Sequence, residues 1–579
     1  MSRKRAFFAS FLLLTTLSAS LCLYSHFYRN ENRRFEIFTD NLFVQEVTGS
    51  TITLHYTLKN PSNYNISKIP VSYGSFSTDS AATSTSLENT IAKLDSFDIA
   101  QLNQTNRLTC EVLDDYLTQA LELSPFTLYS DPLSPMTGIQ AQLPILLSEY
   151  QFYTAEDIDT YLKLLQKTPA YFQSLLSFEQ QKSKAGLFMP AYSAEDIITE
   201  CRDFIALGDK HYLITTFPDR LNAMSLSKKQ KNAYINANKS YVQKYIMTSY
   251  LSLADELENL KNSGRNQKGL YYLPNGKSYY ETLVHSETGS SRSITELQKL
   301  TVTQMQADLS SIQRILKGKS ETVTFAEAQK LKLSDKNPSA ILSTLASKIS
   351  GDFPRLSGIH TQVKYVSDSM EDYLSPAFYM IPPIDNSHEN IIYVNKKHMN
   401  DDLTLFTTLA HEGYPGHLYQ TVYYAKTDPP AIRTLLNFGG YTEGWATYCE
   451  MLSYYYAPLS KDEAVLMQKN ASLLLGLYAL ADMGIHYNGW SVSDTITFFG
   501  SYGLTDADSV KSIYQLIIAD PANYLKYYIG YLEFLELKKE AIANWGSDFS
   551  QKKFHQTILE LGPATFSRIE KYILHPTSK

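Results

Sequence analysis

Apolar residues recur at helical spacing over most of this chain. From Ser86 to about Leu260 the pattern is helical, with start signals at Thr154-Ala155-Glu156-Asp157 and Ser193-Ala194-Glu195-Asp196, where a hydroxyl precedes an acid by two or three positions. Helical spacing resumes over Ser293–Leu316, in a capped stretch Thr324–Lys332 and over Asn337–Gly351, and it persists from Lys461 to the end. Period-two alternation is rare. Gln45-Glu46-Val47 and Thr51-Ile52-Thr53-Leu54-His55-Tyr56 alternate like strand, ahead of the turn-rich Asn60-Pro61-Ser62-Asn63, and Asn390 to Asn395 alternates around β-formers as a short strand. Residues 263–292 are richer in Gly, Asn and Ser and read as a loop or junction between a mostly helical N-terminal region, 31–262, and a region 293–579 that carries the candidate chemistry. No internal repeat stands out at solenoid periods.

Composition narrows the class. With 579 residues, 44% hydrophobic and 19% charged, the chain can bury a sizeable core and is not broadly disordered. A net charge of −7 supplies no basic face for nucleic acid. Beyond Cys22, the three cysteines Cys110, Cys201 and Cys449 have neither metal spacing nor a disulfide framework. The N-terminus changes the picture more: a basic Met1-Ser2-Arg3-Lys4-Arg5 precedes Ala6 to Tyr28, which is free of Asp, Glu, Lys and Arg and long enough to cross a bilayer. Residues 1–30 therefore read as a cleaved signal peptide or a retained anchor, and the remainder as extracytoplasmic. Ser18-Ala19-Ser20 favours cleavage, Leu21-Cys22-Leu23-Tyr24 favours an anchor, and Leu21 is large for the residue before a lipidated Cys22.

The chemistry concentrates in His411-Glu412-Gly413-Tyr414-Pro415-Gly416-His417 and Glu443-Gly444-Trp445-Ala446-Thr447-Tyr448-Cys449-Glu450. Two imidazoles and one carboxylate are ligands that Zn²⁺ takes in a catalytic centre, and a carboxylate beside a ligand can deprotonate the metal's water. His411, His417 and Glu443 fit the ligand roles, and Glu412 fits the base. The usual HExxH motif places its histidines four apart on one helix face. Here they are six apart, about 120° off that face on a regular helix, and Pro415 removes the amide that would bond the His411 carbonyl. The expectation is a helix that breaks at Pro415-Gly416 and returns His417 to the side facing His411. Glu443 and Glu450 are seven apart and share a face, so Glu450 or Thr447 is placed to orient a ligand imidazole.

HEGYPGH, preceded by Asn390-Ile391-Ile392-Tyr393-Val394-Asn395 and followed by TEGWATYCE, resembles the bacterial domain-of-unknown-function 885 family, which the resemblance sets within the Glu-zincin metallopeptidase superfamily. The likeness continues through Asp482-Met483-Gly484-Ile485-His486-Tyr487-Asn488-Gly489-Trp490, Tyr527-Tyr528-Ile529-Gly530, Phe554-His555 and Leu561-Gly562-Pro563, and spans most of the chain from about Phe35. Many relatives carry a second His directly after the position of His417; Leu418 stands there here, which leaves His417 as the ligand. The resemblance implies a mainly α fold: a large helical zinc-peptidase-like body with a deep cleft, and a small β-sheet beside the metal-binding helix. It also implies that the third ligand lies on a later helix, as Glu443 would, and that the Asn390–Asn395 strand is an edge pairing with substrate backbone, which puts Tyr393 and Asn395 near substrate. Oxyanion donors in such sites come from distant Tyr or His residues, for which Tyr527 and His486 are preferred and His555 is a further candidate.

These readings converge on a zinc metallopeptidase with one Zn²⁺ per chain, hydrolysing short peptides outside the cytoplasm. Glu412 is the general base and Tyr527 or His486 the oxyanion donor; membrane contact is through the N-terminal segment alone. Two other readings use the same residues: a metal-dependent hydrolase of non-peptide amides or esters, and a surface protein that binds peptides without turnover.

Overall fold

The computed structural model describes residues 30–135, 137–317, 332–366, 371, 374–399 and 401–574. The expected N-terminal segment and nearly all of the expected Thr324–Lys332 helix lie outside these residues. The fold is mostly helical, with helix over 70% of the chain and strand over 3%.

Helices form largely where the apolar spacing places them. Ser293 caps the helix Ile294–Leu316 with Glu296 reaching back in a capping box, Asn337 caps Pro338–Lys348, and the Asp157 carboxylate accepts from the Thr154 amide at 2.7 Å ahead of Ala155–Ala185. Four expectations need correction. Thr51–Thr57 is helix, capped by the Ser50 hydroxyl; Thr51 and His55, four apart, are its buried residues, a helical spacing that the run of β-formers conceals. Gln45-Glu46-Val47 ends the preceding helix Glu31–Val47. Ser193 does not cap: its helix begins at Ala191, directly after Pro190, and Ser193 is buried inside it. Within 263–292, residues Gly276–Thr288 are helix with Tyr279 and Tyr280 buried, so nearly half of the expected loop is helical.

Three short strands form one sheet in the order β1-β3-β2, with β1 (His360–Tyr365) parallel and β2 (Ala377–Met380) antiparallel to β3 (Glu389–Val394). The predicted strand is therefore β3, and it is central. The edge nearest the His411 helix is β2, a short apolar run between Pro376 and Pro382, as prolines permit at an edge.

Two cores organise the body. One is built by helices between residues 133 and 257, with Val366 and Tyr393 reaching into it. The larger joins the first helices, residues 35–117, to the chain from 270 to 573, so the N-terminal helices pack on the region carrying the candidate chemistry. Cys110, Cys201 and Cys449 are buried free thiols.

Candidate metal centre

The helix Asp402–Glu412 stops at Glu412, and a new helix, His417–Ala425, starts at the second histidine. Between them Gly413-Tyr414-Pro415-Gly416 folds back tightly: the Gly416 amide bonds the Ala410 carbonyl at 2.9 Å and the Tyr419 amide bonds that of Gly413 at 3.1 Å. The peptide bond Tyr414–Pro415 is cis. A Cβ on Gly416 would lie 1.8 Å from the His411 carbonyl oxygen, so no larger residue fits where the two helices meet. The expected break is present, and it turns the imidazoles toward each other, ring centroids 4.8 Å apart.

Glu443 lies on Gly439–Ser453, the helix of the second motif. Trp445, fully buried, donates its indole N–H to the Pro415 carbonyl at 2.9 Å, and the Cys449 thiol reaches the same oxygen at 3.4 Å. One motif thus holds the turn of the other. Glu443 Oε2 lies 3.3 Å from His417 Nε2 and 3.7 Å from His411 Nε2, and the three ligand atoms lie within 4.8 Å of one another. Four ligands at about 2.0–2.1 Å from a tetrahedral Zn²⁺ stand about 3.3–3.4 Å apart. The donor set and its spacing fit such an ion.

Glu450 Oε2 is 3.1 Å from His411 Nδ1, which leaves Nε2 for the cluster; of Glu450 and Thr447, the carboxylate orients the imidazole. Burial opposes charge on His411, but hydrogen bonds to Glu443 and Glu450 and the charge of Glu412 raise its pKa well above the ordinary histidine value. Burial likewise works against Glu443, and the two imidazoles hold it well below the usual carboxylate range. The first shift reports the carboxylates around His411 and the second the imidazoles around Glu443, so each side of the cluster favours the charged form of the other.

Glu412 is held from the sheet: its Oε2 accepts the Tyr379 amide of β2 at 2.8 Å. Tyr527, on the helix Asn523–Trp545, faces the cluster with its ring 6.4 Å from that of His411. Burial, then the charges of Glu443 and Glu412, push its phenol far above 10, so it remains a donor. Its helix reaches the Glu443 helix through bare backbone; a Cβ on Gly444 would lie 2.5 Å from Gly530 Cα. His411, Glu412, His417, Glu443, Glu450 and Tyr527 line one pocket of about 470 Å³ together with Tyr379 and its β2 neighbours.

Four expected site residues are elsewhere. His486 is fully buried, with Nδ1 accepting the Leu270 amide at 3.1 Å and Nε2 on the Ile517 carbonyl at 3.0 Å. His555 is equally buried, bonded to the Asp352 carbonyl, Tyr448 and Gln551 and stacked on Phe353. Neither ring has a nitrogen left for an oxyanion. Tyr393 points into the second core, stacked on Phe378 with its hydroxyl on Glu149. The Asn395 side chain organises a loop, donating to the Glu371 and Leu374 carbonyls and accepting from the Lys397 amide. The resemblance placed both residues near substrate as part of an edge strand, and β3 is central. Tyr379 was missed, although Ser375-Pro376-Ala377-Phe378-Tyr379-Met380-Ile381-Pro382-Pro383 carries the proline-bounded pattern of an edge strand.

Two solved structures share the fold at 17% identity. One, "the putative lipoprotein from Colwellia psychrerythraea", superposes with a TM-score of 0.83 over 94% of this chain and 99% of its own. The other, "a putative lipoprotein of unknown function from Shewanella oneidensis", gives 0.63 over 93% and 99%. No curated protein matches the chain. The family described as bacterial protein of unknown function (DUF885) matches residues 74–573, and the chain belongs to that family.

Proposed function

We propose that the protein is a zinc-dependent metallopeptidase that cleaves short peptides outside the cytoplasm. The observation that carries this reading is the convergence of His411, His417 and Glu443 ligand atoms within 4.8 Å, beside Glu412 and Tyr527 in one pocket. A zinc ion held by those three residues would supply Lewis acidity and an acidified water, with a pKa near about 7.

The rest of the chemistry belongs to the chain. Glu412 takes the water's proton and returns it to the leaving amine, its carboxylate kept in direction by the Tyr379 amide. The Tyr527 phenol donates to the oxyanion that develops on the attacked carbonyl. Tyr379's amide points away from β3, toward Glu412, so this side of β2 presents backbone groups along which an extended peptide can align. A pocket of about 470 Å³ suits a short peptide rather than a folded protein. The apolar N-terminal segment, and the description of both structural relatives as lipoproteins, support a site outside the cytoplasm.

The test compares wild type with Glu412→Gln for bound zinc and for cleavage of a diverse short-peptide library. Zinc is expected to be retained in both, with turnover falling about 10²–10⁴-fold in the variant. Equal cleavage by the two proteins removes the mechanism, and a zinc-loaded wild type that cleaves nothing removes the function.

A further inference from the structure

Asp482 and His486 stand one helical turn apart on Lys461–His486, both fully buried, and neither lines the pocket of the metal centre. Both grip the same short stretch of chain. Asp482 accepts the Ala522 amide on Oδ1 at 3.2 Å and on Oδ2 at 3.1 Å, and its Oδ1 is 2.5 Å from the Tyr280 hydroxyl. Because His486 Nδ1 accepts the Leu270 amide, the ring proton sits on Nε2 and is donated to the Ile517 carbonyl. Tyr280 stacks against His486, ring centroids 5.3 Å apart, and completes the cluster. Segment 517–522 is thereby fastened at its first residue by His486 and at its last by Asp482.

That segment leads directly into the Tyr527 helix. Ala522 is the residue before Asn523–Trp545 and has a left-handed backbone, φ +64°, with no side chain able to cap the helix it starts. Asp482 supplies the acceptor from another helix. Tyr527 follows five residues later, about 7.5 Å along a stiff helix at 1.5 Å per residue, so the place of the Ala522 amide carries through to the place of the phenol. Beyond Tyr527 the helix is fastened again where Gly530 meets Gly440 and Gly444 of the Glu443 helix. Tyr527 thus sits between two fixed points, one set by Asp482 and the other by the helix that bears a metal ligand.

We infer that Asp482, with His486 holding the other end of segment 517–522, is a positioning residue that sets the Tyr527 phenol over the metal centre and acts on turnover only through Tyr527. This rests on the peptidase reading for its catalytic part and on geometry alone for its structural part. Burial pushes the Asp482 carboxyl up to about 8, so asparagine mimics the neutral acid and can satisfy both Tyr280 and the Ala522 amide. Alanine cannot satisfy either, and serine is too short to reach them.

The experiment uses the full chain loaded with zinc, as wild type, D482A, D482N, Y527F and D482A/Y527F, with D482S in place of D482A should the latter fail to fold. Expected is at least a tenfold fall in kcat for D482A with KM within twofold, unchanged bound zinc, activity of D482N within threefold of wild type, and a double variant no slower than Y527F alone. Additive losses in the double variant, or a D482N as impaired as D482A, overturn the inference. A second measurement needs no turnover: hydrogen exchange of amides 522–528 in the zinc-free proteins. At least tenfold faster exchange there in D482A, with amides 405–412 and 441–450 unchanged, supports the fastening; wild-type protection at 522–528 overturns it. Should wild type cleave no peptide, the proposed function falls while the exchange result still decides whether Asp482 fixes this segment.

Discussion

Gly416→Ala is the sharpest probe of how this chain would build the proposed centre, because it adds one methyl group where the helices bearing His411 and His417 touch. The new Cβ would stand 1.8 Å from the His411 carbonyl oxygen, 2.5 Å from its carbon and 2.6 Å from the Ala410 carbonyl oxygen. All three are backbone atoms, so no side chain can swing away. Relief even to 3.0 Å, the shortest approach a Cβ tolerates, requires the turn to open by roughly 1.2 Å. A metal site tolerates errors of about 0.2 Å in its ligand distances, so His417 would leave the cluster. Apparent zinc affinities of about 10–16 kcal/mol spread over four ligands give about 2.5–4 kcal/mol for one, or about 10²–10³-fold in Kd. The cost to folding is that of overpacking, about 1–3 kcal/mol, which a body with two cores can absorb. Competition titration against a chromophoric chelator measures the first quantity and chemical denaturation the second. Gly351→Ala, where the methyl would meet nothing within 4 Å, is the control. A G416A protein that binds zinc within threefold of wild type would refute the claim that this turn assembles the ligands.

Further outcomes follow from the same geometry. Glu450→Gln removes the charge 3.1 Å from His411 Nδ1 and should weaken zinc binding about 10–100-fold while leaving the fold intact; affinity within twofold of wild type would show that Glu450 does not orient the ligand. Zinc-free protein should lose stability on acidification. His55 and His555 are depressed by burial to about 3 and His211 and His486 to about 4, so below pH 6.5 the unfolded chain takes up four protons that the native chain refuses. Glu179 and Asp482, raised by burial to about 7 and about 8, hold two protons in the native state that the unfolded chain has released above about pH 5. The four imidazoles outnumber these two acids, so the unfolded chain gains protons over the native one and stability falls on going from pH 6 to pH 5. Denaturant titrations at the two pH values check this, and a stability that rises on acidification would contradict it.

How much of this was legible in the sequence depended on where each residue's partners lie. The break at Pro415-Gly416 could be anticipated because it follows from local backbone chemistry: a missing amide, a ring clash and a glycine. The convergence of Glu443 on two histidines was legible from residue type and from the resemblance. Strand order was not, since alternation along Asn390–Asn395 reports two faces and says nothing of which neighbours pair. The real edge, β2, is four residues long, too short for periodicity to mark, and its contribution is a backbone amide that no side-chain motif encodes.

The histidines show why motif membership alone did not sort a residue that faces the site from scaffold. His411, His417, His486 and His555 all sit in family-like stretches, yet an imidazole can serve the site, as ligand or as oxyanion donor, only if one nitrogen is left to face it. In His411 a carboxylate takes Nδ1 and Nε2 turns to Glu443. In His486 an amide and a carbonyl take one nitrogen each, and in His555 a carbonyl takes one while Tyr448 and Gln551 share the other. What differs is the partner, and those partners come from Leu270, Ile517 and Asp352, 216, 31 and 203 residues away. The distant bonds still serve the site: His486 and Asp482 fasten the chain that presents Tyr527, while His555 packs against Trp445, ring centroids 5.6 Å apart, and Trp445 holds the turn on which His417 depends. His486 and His555, expected at the oxyanion, are thus attached through other residues to the side chains that face the pocket.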